Sequence, residues 1–285
     1  MNRIDKRFAE MKKKKEKALI GFISAGDPDP SVSLEILEAM CRAGIDVLEL
    51  GIPFSDPTAD GPVIQRASAR ALSKGVNLSR VLEITGKIRN KMTDIPIILF
   101  SYYNPIFVYG PESFFRDAVA AGADGVLVVD LPPEESRELT DCWSGGSEFY
   151  LIHLVAPTTT GDRMKEIADR ASGFIYLVSK TGVTGSSGLD VRDVRYHVAR
   201  LRSLTDIPIC VGFGISDPVD AGLLSPHVDG VVIGSAFERI IEGNLDNPDL
   251  AKRLGEEVRK YKAAMCSMQK NNEQNQLRKG KREKP

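Results

Sequence analysis

Thr93-Asp-Ile-Pro-Ile97 recurs as Thr205-Asp-Ile-Pro-Ile209, and each copy opens an apolar, β-branched run. The next run matches as well. Ala123-Asp-Gly-Val-Leu-Val follows the first copy, Val228-Asp-Gly-Val-Val-Ile follows the second, and Ile45-Asp-Val-Leu-Glu-Leu is a looser third version. A repeat of this kind marks a chain assembled from similar units. Eight runs read as strands: Ala18 to Ser24, Ile45 to Gly51, Ile95 to Ser101, Ala123 to Val129, Phe149 to Val155, Gly173 to Ser179, Ile207 to Gly212 and Val228 to Gly234. Between them lie stretches with helix spacing, such as Leu34, Leu37 and Cys41, or Met164, Ile167, Ala168 and Ala171; the last is Leu250, Leu254, Val258, Tyr261 and Met265.

The order is therefore β then α, repeated, with the third and fourth strands resembling the seventh and eighth, as in two half-barrels of four βα units. An open doubly wound sheet is the rival, but no G-x-G-x-x-G follows the first strand and no acidic residue is placed for a ribose. The expected fold is an α/β (β/α)8 TIM barrel. It carries an extra N-terminal helix from about Arg3 to Lys17, an added helix from about Leu78 to Lys91 and a short one after Gly234. Residues 1–265 form one barrel domain in this reading. Residues 266–285 form a basic C-terminal tail, which from about Gln269 is rich in Asn, Gln and Lys and is expected to be disordered.

With 285 residues, 42% of them hydrophobic and 27% charged, the chain has the composition of a globular protein with a real core. Its formal net charge of -1 is unevenly placed: residues 1–17 carry +5 and residues 265–285 carry +4, which leaves the body at -10. An acidic body does not suit a nucleic-acid groove, and the basic tail has no interleaved aromatics, so both ends read as solvated surface. No apolar run approaches the roughly 20 residues that span a bilayer. Four cysteines (Cys41, Cys142, Cys210, Cys266) stand far apart and the N-terminus lacks an apolar signal core, which fits a reducing cytoplasm. His153, His197 and His227 have no metal-ligand spacing, so no metal is expected.

In a β/α barrel the reactive groups lie at the C-terminal ends of the strands. Alternation along the second strand puts Val47 and Glu49 on one face and Leu48 and Leu50 on the other. With the leucines against helices, Glu49 points into the mouth of the barrel, where burial raises a carboxyl toward the range useful for proton transfer. A structural Glu paired with a buried Arg or Lys is the alternative, but this strand holds no basic residue. The following loop, Ile52-Pro-Phe-Ser-Asp-Pro-Thr-Ala-Asp-Gly-Pro62, carries Asp56 and Asp60 and is stiffened by three prolines. Gly182-Val-Thr-Gly185, Gly212-Phe-Gly214 and Gly234-Ser-Ala236 end the last three strands and together describe a phosphate cup, because glycine lets N–H groups approach an anion and a helix N-terminus adds its dipole. Tyr102 and Tyr176 end the third and sixth strands, where each could line a flat apolar pocket or pack in the core.

The stretch Glu49-Leu-Gly-Ile-Pro-Phe-Ser-Asp-Pro-Thr-Ala-Asp-Gly-Pro62, with Ser101-Tyr-Tyr-Asn-Pro105, Gly182-Val-Thr-Gly185 and Gly212-Phe-Gly214, closely resembles the tryptophan synthase alpha-chain family over about residues 1–265. The resemblance implies retro-aldol cleavage of indole-3-glycerol phosphate to indole and glyceraldehyde 3-phosphate. It assigns proton transfer to Glu49 and stabilisation of the charge developing at the indole N–H to Asp60. By the same carry-over Phe22, Ile64, Tyr102, Leu127, Tyr176, Thr184 and Phe213 match the substrate pocket, Gly185, Gly214, Gly234 and Ser235 match the phosphate contacts, and Lys180 to Leu189 correspond to a mobile lid. The family pairs with a beta chain in an alpha2-beta2 heterotetramer and hands indole to it, with the loop of Asp56 at the shared face. Pyridoxal phosphate belongs to that beta chain, and no cofactor is expected in this one. Two departures stand out: Phe100 occupies an expected aliphatic pocket position, and the chain past about Ser267 exceeds the usual end. The alternatives are a free-standing lyase, a barrel kept as a silent activator of the beta chain, and another phosphosugar barrel, which the Glu49-to-Pro62 stretch disfavours.

Overall fold

In the computed structural model, which describes residues 1–143, 148–179, 190–212 and 214–282 and side chains as far as Gln269, strands and helices alternate as the repeat requires. The elements run α1 (Arg3–Lys14), β1 (Ala18–Ser24), α2 (Pro30–Ala43), β2 (Val47–Gly51), α3 (Pro62–Ser73), α4 (Leu78–Lys91), β3 (Ile97–Ser101), α5 (Tyr103–Tyr109), α6 (Pro111–Ala120) and β4 (Gly125–Val128). They continue with α7 (Arg137–Thr140), β5 (Tyr150–Val155), α8 (Gly161–Arg170), β6 (Ile175–Val178), α9 (Val191–Arg202), β7 (Ile209–Gly212), α10 (Pro218–Leu224), β8 (Gly230–Ile233), α11 (Ser235–Glu242) and α12 (Leu250–Arg282). The eight strands are parallel and close in sequence order, with β8 returning to β1. The expected (β/α)8 barrel is the observed one, and the added helix at Leu78–Lys91 falls where its spacing places it.

Local chemistry sets the helix ends. Asp29 caps α2 by accepting from the N–H groups of Ser31 and Val32, with Pro30 as first helical residue, and Asn77 caps α4 by accepting from Arg80 N–H. Helix α1 stops earlier than its charged run suggests, at Lys14, because Lys15 turns into the left-handed region at φ 55°. At the other end, α12 passes through the expected boundary at residue 265 and stays helical to Arg282, where the sequence reading expects a disordered tail. Gln269 ties it back by donating to Lys15 O at 2.8 Å.

Two apolar layers follow from the alternation of the strands. Outward residues such as Leu19, Leu48, Leu50, Leu99 and Val126 pack against the helices. Inward residues Ile20, Phe22, Val47, Ile98, Phe100, Leu127, Ile152, Tyr176, Cys210 and Val232 fill the barrel together with Ile4, Phe8 and Met11 of α1. Helix α1 therefore plugs the N-terminal end, with the ring of Phe8 5.7 Å from that of Phe174.

The repeated aspartates explain why β2, β4 and β8 begin two residues later than their apolar runs. Asp46, Asp124 and Asp229 each stand just before an even-numbered strand and grip the preceding strand twice. The carboxylate accepts from the N–H of Leu19, Ile97 or Ile209 at 2.8 to 2.9 Å, and the aspartate N–H donates to the carbonyl of the same residue at 2.8 to 2.9 Å. Cations close each clamp: Lys262 and Arg7 on Asp46, Arg89 and Arg3 on Asp124, and Arg202 and Lys17 on Asp229. Pro96 and Pro208, which have no N–H, precede β3 and β7.

Asp124 is 3% exposed, and removing one partner of a buried, hydrogen-bonded ion pair costs about 3 to 5 kcal/mol. Asp124→Ala should therefore lower the free energy of unfolding measured by urea titration by an amount of that order. A variant that unfolds with the parent protein would show that the clamp is not a stabilising device.

Candidate active site

With α1 closing one end, the open end of the barrel is its C-terminal mouth, and Glu49 lies within it. Register places Glu49 between Phe22 of β1 and Ile98 of β3. The residue is fully buried, and neither carboxylate oxygen has a hydrogen-bond partner among the described residues. Burial alone pushes its carboxyl up to about 8. The alternative of a structural pair with Arg or Lys is not what these residues form. A carboxyl in this state holds its proton at neutral pH and can release it at small cost, which suits a group that acts as acid and then as base.

Tyr176 on β6 is also fully buried in the barrel, and burial together with the charge at Glu49 holds its phenol well above the usual range. Its ring lies against the backbone of β7: a Cβ on Gly212 would sit 2.0 Å from the Tyr176 hydroxyl, so only glycine admits the ring there. Phe22 and Phe100 meet edge to face at 5.2 Å and 75°, and with Leu127 and the half-buried Ile64 they make the apolar wall around Glu49. The Phe100 departure thus fills space inside the barrel beside Phe22.

Asp60 sits on the loop between β2 and α3, half-buried, and its carboxyl is pushed up to about 6 by burial, against a hydrogen bond from Tyr102 that works the other way. The Tyr102 hydroxyl accepts from Ala59 N–H at 2.9 Å and donates to Asp60, while its ring lies 5.4 Å from that of Phe54, tilted by 36°. Beyond the two readings left open for it, Tyr102 braces the loop and contacts Asp60. The loop is further held by Asp60 N–H on Pro57 O at 3.0 Å and by Gln65 on Asp60 O at 2.8 Å. Asp56 is exposed on the same loop and accepts from the Ser55 hydroxyl at 2.5 Å.

Of the residues expected to meet a phosphate, Gly214 follows β7 with φ 75°, a left-handed conformation that suits glycine, and Gly234 and Ser235 open α11, whose first turn has N–H groups without intrahelical acceptors. Thr184, Gly185, Phe213 and the segment Lys180 to Leu189 lie outside the described residues. No group of three metal-ligating side chains occurs among the described residues.

The chain matches the family model of the tryptophan synthase alpha chain over residues 8–266. It is 61% identical over 264 residues to the "Tryptophan synthase alpha chain" of Desulfosudis oleivorans, covering 93% of this chain and 99% of the relative. The chain belongs to the tryptophan synthase alpha-chain family. Among solved structures, the tryptophan synthase alpha subunit of Legionella pneumophila superposes with a TM-score of 0.86 at 38% identity, covering 94% of this chain and 99% of the other. A chain in the crystal structure of tryptophan synthase from M. tuberculosis, in its aminoacrylate-bound form, gives 0.82 at 29% identity over 93% of this chain and all of that one. A tryptophan synthase alpha chain is a carbon–carbon lyase acting on indole-3-glycerol phosphate.

Sequence reasoning passed over a second group of carboxylates, beside the mouth. Glu238 on α11 and Asp27 after β1 are both fully buried, and Arg70 on α3 grips Asp27 with two bonds of 2.8 Å and reaches Glu242 at 3.1 Å. The signal available was a charged residue within the apolar face formed by Phe237 and Ile241. Asp130 was also missed; it accepts from Tyr103 N–H at 2.7 Å and fixes the start of α5.

The state of Glu49 has a consequence for stability. Its folded value of about 8 exceeds the ordinary 4.5, so the stability it contributes is fully present below the ordinary value and is lost as pH rises toward 8. Glu49→Gln removes that dependence and should stabilise the protein at pH 8 by on the order of 3 to 5 kcal/mol. Thermal unfolding of the two proteins between pH 5 and 9 tests this, and parallel curves would count against a solvent-starved Glu49.

Proposed function

We propose that this alpha chain performs its cleavage with Glu49 as the proton carrier and Asp60 as the charge stabiliser. The observation that supports it is the pairing of two carboxyls with opposed states at one mouth. At neutral pH the sealed Glu49 is mostly protonated and the Tyr102-braced Asp60 mostly ionised. Glu49 protonates C3 of the indole ring, and Asp60 accepts from the ring N–H as positive charge develops there. Once ionised, Glu49 takes the proton of the hydroxyl on the adjacent glycerol carbon. The carbon–carbon bond breaks, its electrons return to the ring, and indole and glyceraldehyde 3-phosphate result. Glu49 ends protonated, ready for another turn.

Phe22, Ile64, Tyr102, Leu127 and Tyr176 enclose the ring in this reading. Gly214, Gly234 and Ser235 receive the phosphate, together with Gly185, while Thr184 and Phe213 complete the pocket and Lys180 to Leu189 cover it. The catalytic unit is residues 1–265, and the remainder is an appended tail. The chemistry is the protein's own; pyridoxal phosphate belongs to the beta chain, which joins two alpha chains in an alpha2-beta2 heterotetramer in the cytoplasm. Partner docking around Asp56 is supported by α5, which follows β3 at the same end and exposes Phe107 at 62% and Val108 at 77%. No helix among the described residues is long and apolar enough to cross a membrane.

The rate should follow a bell in pH, with kcat/KM lost below about 6 as Asp60 takes a proton and above about 8 as Glu49 loses one. Asp60→Asn should abolish the acid limb and lower the rate by roughly a hundredfold or more; a Glu49→Gln protein that still cleaves at the parent rate would end the proton-transfer assignment. Indole release from indole-3-glycerol phosphate, with and without a cognate beta chain, tests the coupling. Strong acceleration by the partner is expected, and fast release indifferent to it would point to a free-standing lyase.

A further inference from the structure

Glu238 sits one turn inside α11, where its N–H already bonds Gly234 O at 3.1 Å. Its side chain crosses to the end of β1, and Oε1 accepts from Ser24 N–H at 2.5 Å. Its other oxygen, Oε2, is buried without a hydrogen-bond partner among the described residues, and the neighbouring carboxylate whose charge acts on Glu238 is that of Asp27. Two ionised carboxylates cannot share a dry contact of this kind, but a proton on Oε2 turns it into a hydrogen bond. The proton belongs to Glu238, because both oxygens of Asp27 accept from Arg70.

The charged groups around this contact agree. Asp27 approaches from the loop after β1, Arg70 from α3, and Glu242 lies one turn further along α11, where it is held by Arg66 and Arg70. On its other side α11 packs through Phe237 on Tyr261 of α12, ring centroids 5.5 Å apart, an apolar contact. Burial, reinforced by the charge of Asp27, drives the Glu238 carboxyl well above the ordinary range.

The contact joins two parts of the active site. Ser24 lies two residues beyond Phe22, and a Cβ on Gly234 would stand 3.3 Å from the Phe22 ring, so α11 and the aromatic wall are in close register. We propose that Glu238 is a positioning residue: a neutral carboxyl that shares its proton with Asp27 and ties the first turn of α11 to the end of β1, fixing the phosphate end of the site relative to Glu49. The inference rests on the reading of Gly234 and Ser235 as phosphate contacts for its effect on substrate, but not for the shared proton itself.

Glu238→Gln keeps an acceptor for Ser24 and supplies a donor for Asp27, whereas Glu238→Ala supplies neither. KM and kcat for indole-3-glycerol phosphate, measured from pH 6 to 9.5, should show E238Q close to the parent at pH 7, with E238A raised about tenfold in KM and little changed in kcat. Thermal unfolding gives a readout independent of substrate: the parent should lose stability relative to E238Q as pH rises from about 5. An E238Q protein as impaired as E238A at pH 7, or unfolding curves of the parent and E238Q that run parallel in pH, would overturn the shared proton. If those curves diverge while KM stays indifferent to all three side chains, the phosphate reading of α11 fails and the proton pair stands.

Discussion

A closed barrel of eight parallel strands has no edges, and every inward side chain must find its packing inside the ring. That constraint governs the rest of the molecule. The lower interior is filled by aliphatic residues and by the apolar face of α1, the middle by the crossed rings of Phe22 and Phe100, and the upper part by Tyr176 over Gly212. Glu49 is the ionisable carboxyl set into this dry interior, and its unusual readiness to hold a proton follows from the packing around it. The same apolar wall that surrounds Glu49 therefore sets its proton affinity.

Much of this was legible beforehand because the signals were periodic or local. The doubled Thr-Asp-Ile-Pro-Ile motif identified two half-barrels, and strict alternation along β2 separated Glu49 from its leucine neighbours. The capped helix at Leu78 could be read to the residue. Strand starts were less legible: a run such as Ile45-Asp46 looks like strand, yet Asp46 spends its N–H and carboxylate on Leu19 in a clamp that no local pattern reveals. The end of α12 was misjudged by composition, since Asn, Gln and Lys describe a solvated surface without excluding a helix. Tyr102 shows the limit of position alone. Its place at a strand end suggested a pocket wall, and its role as a brace for Asp60 depends on a loop that folds back over it. Glu238, Asp27 and Arg70 are far apart in sequence, and a buried carboxyl pair has no sequence signature until its partners are known.

The two faces of the barrel use charge in opposite ways. At the N-terminal face Asp46, Asp124 and Asp229 are each met by two cations, and the carboxylates serve as anchors. At the C-terminal face Glu49 and Asp60 have no cation, and burial leaves both with raised proton affinity in different degree. Carboxyls thus serve as anchors where a counter-charge meets them, as in the three clamps and in the Asp27–Arg70 pair, and keep a raised proton affinity where none does, as at Glu49 and Asp60.

The plug formed by α1 has a consequence for the order in which the chain can assemble. Ile4, Phe8 and Met11 rest on residues from β1 to β8, including Phe174 and Val232, and the neighbouring Arg7 shares Asp46 with Lys262 of α12. Helix α1, which precedes every strand of the barrel in chain order, thus has no complete seat until β8 is in place. While synthesis proceeds, its apolar face must wait unprotected, and the exposed lysines of its last turn, Lys12 to Lys14, favour a solvated state for that waiting segment. Seating of α1 is then the event that reports a finished barrel.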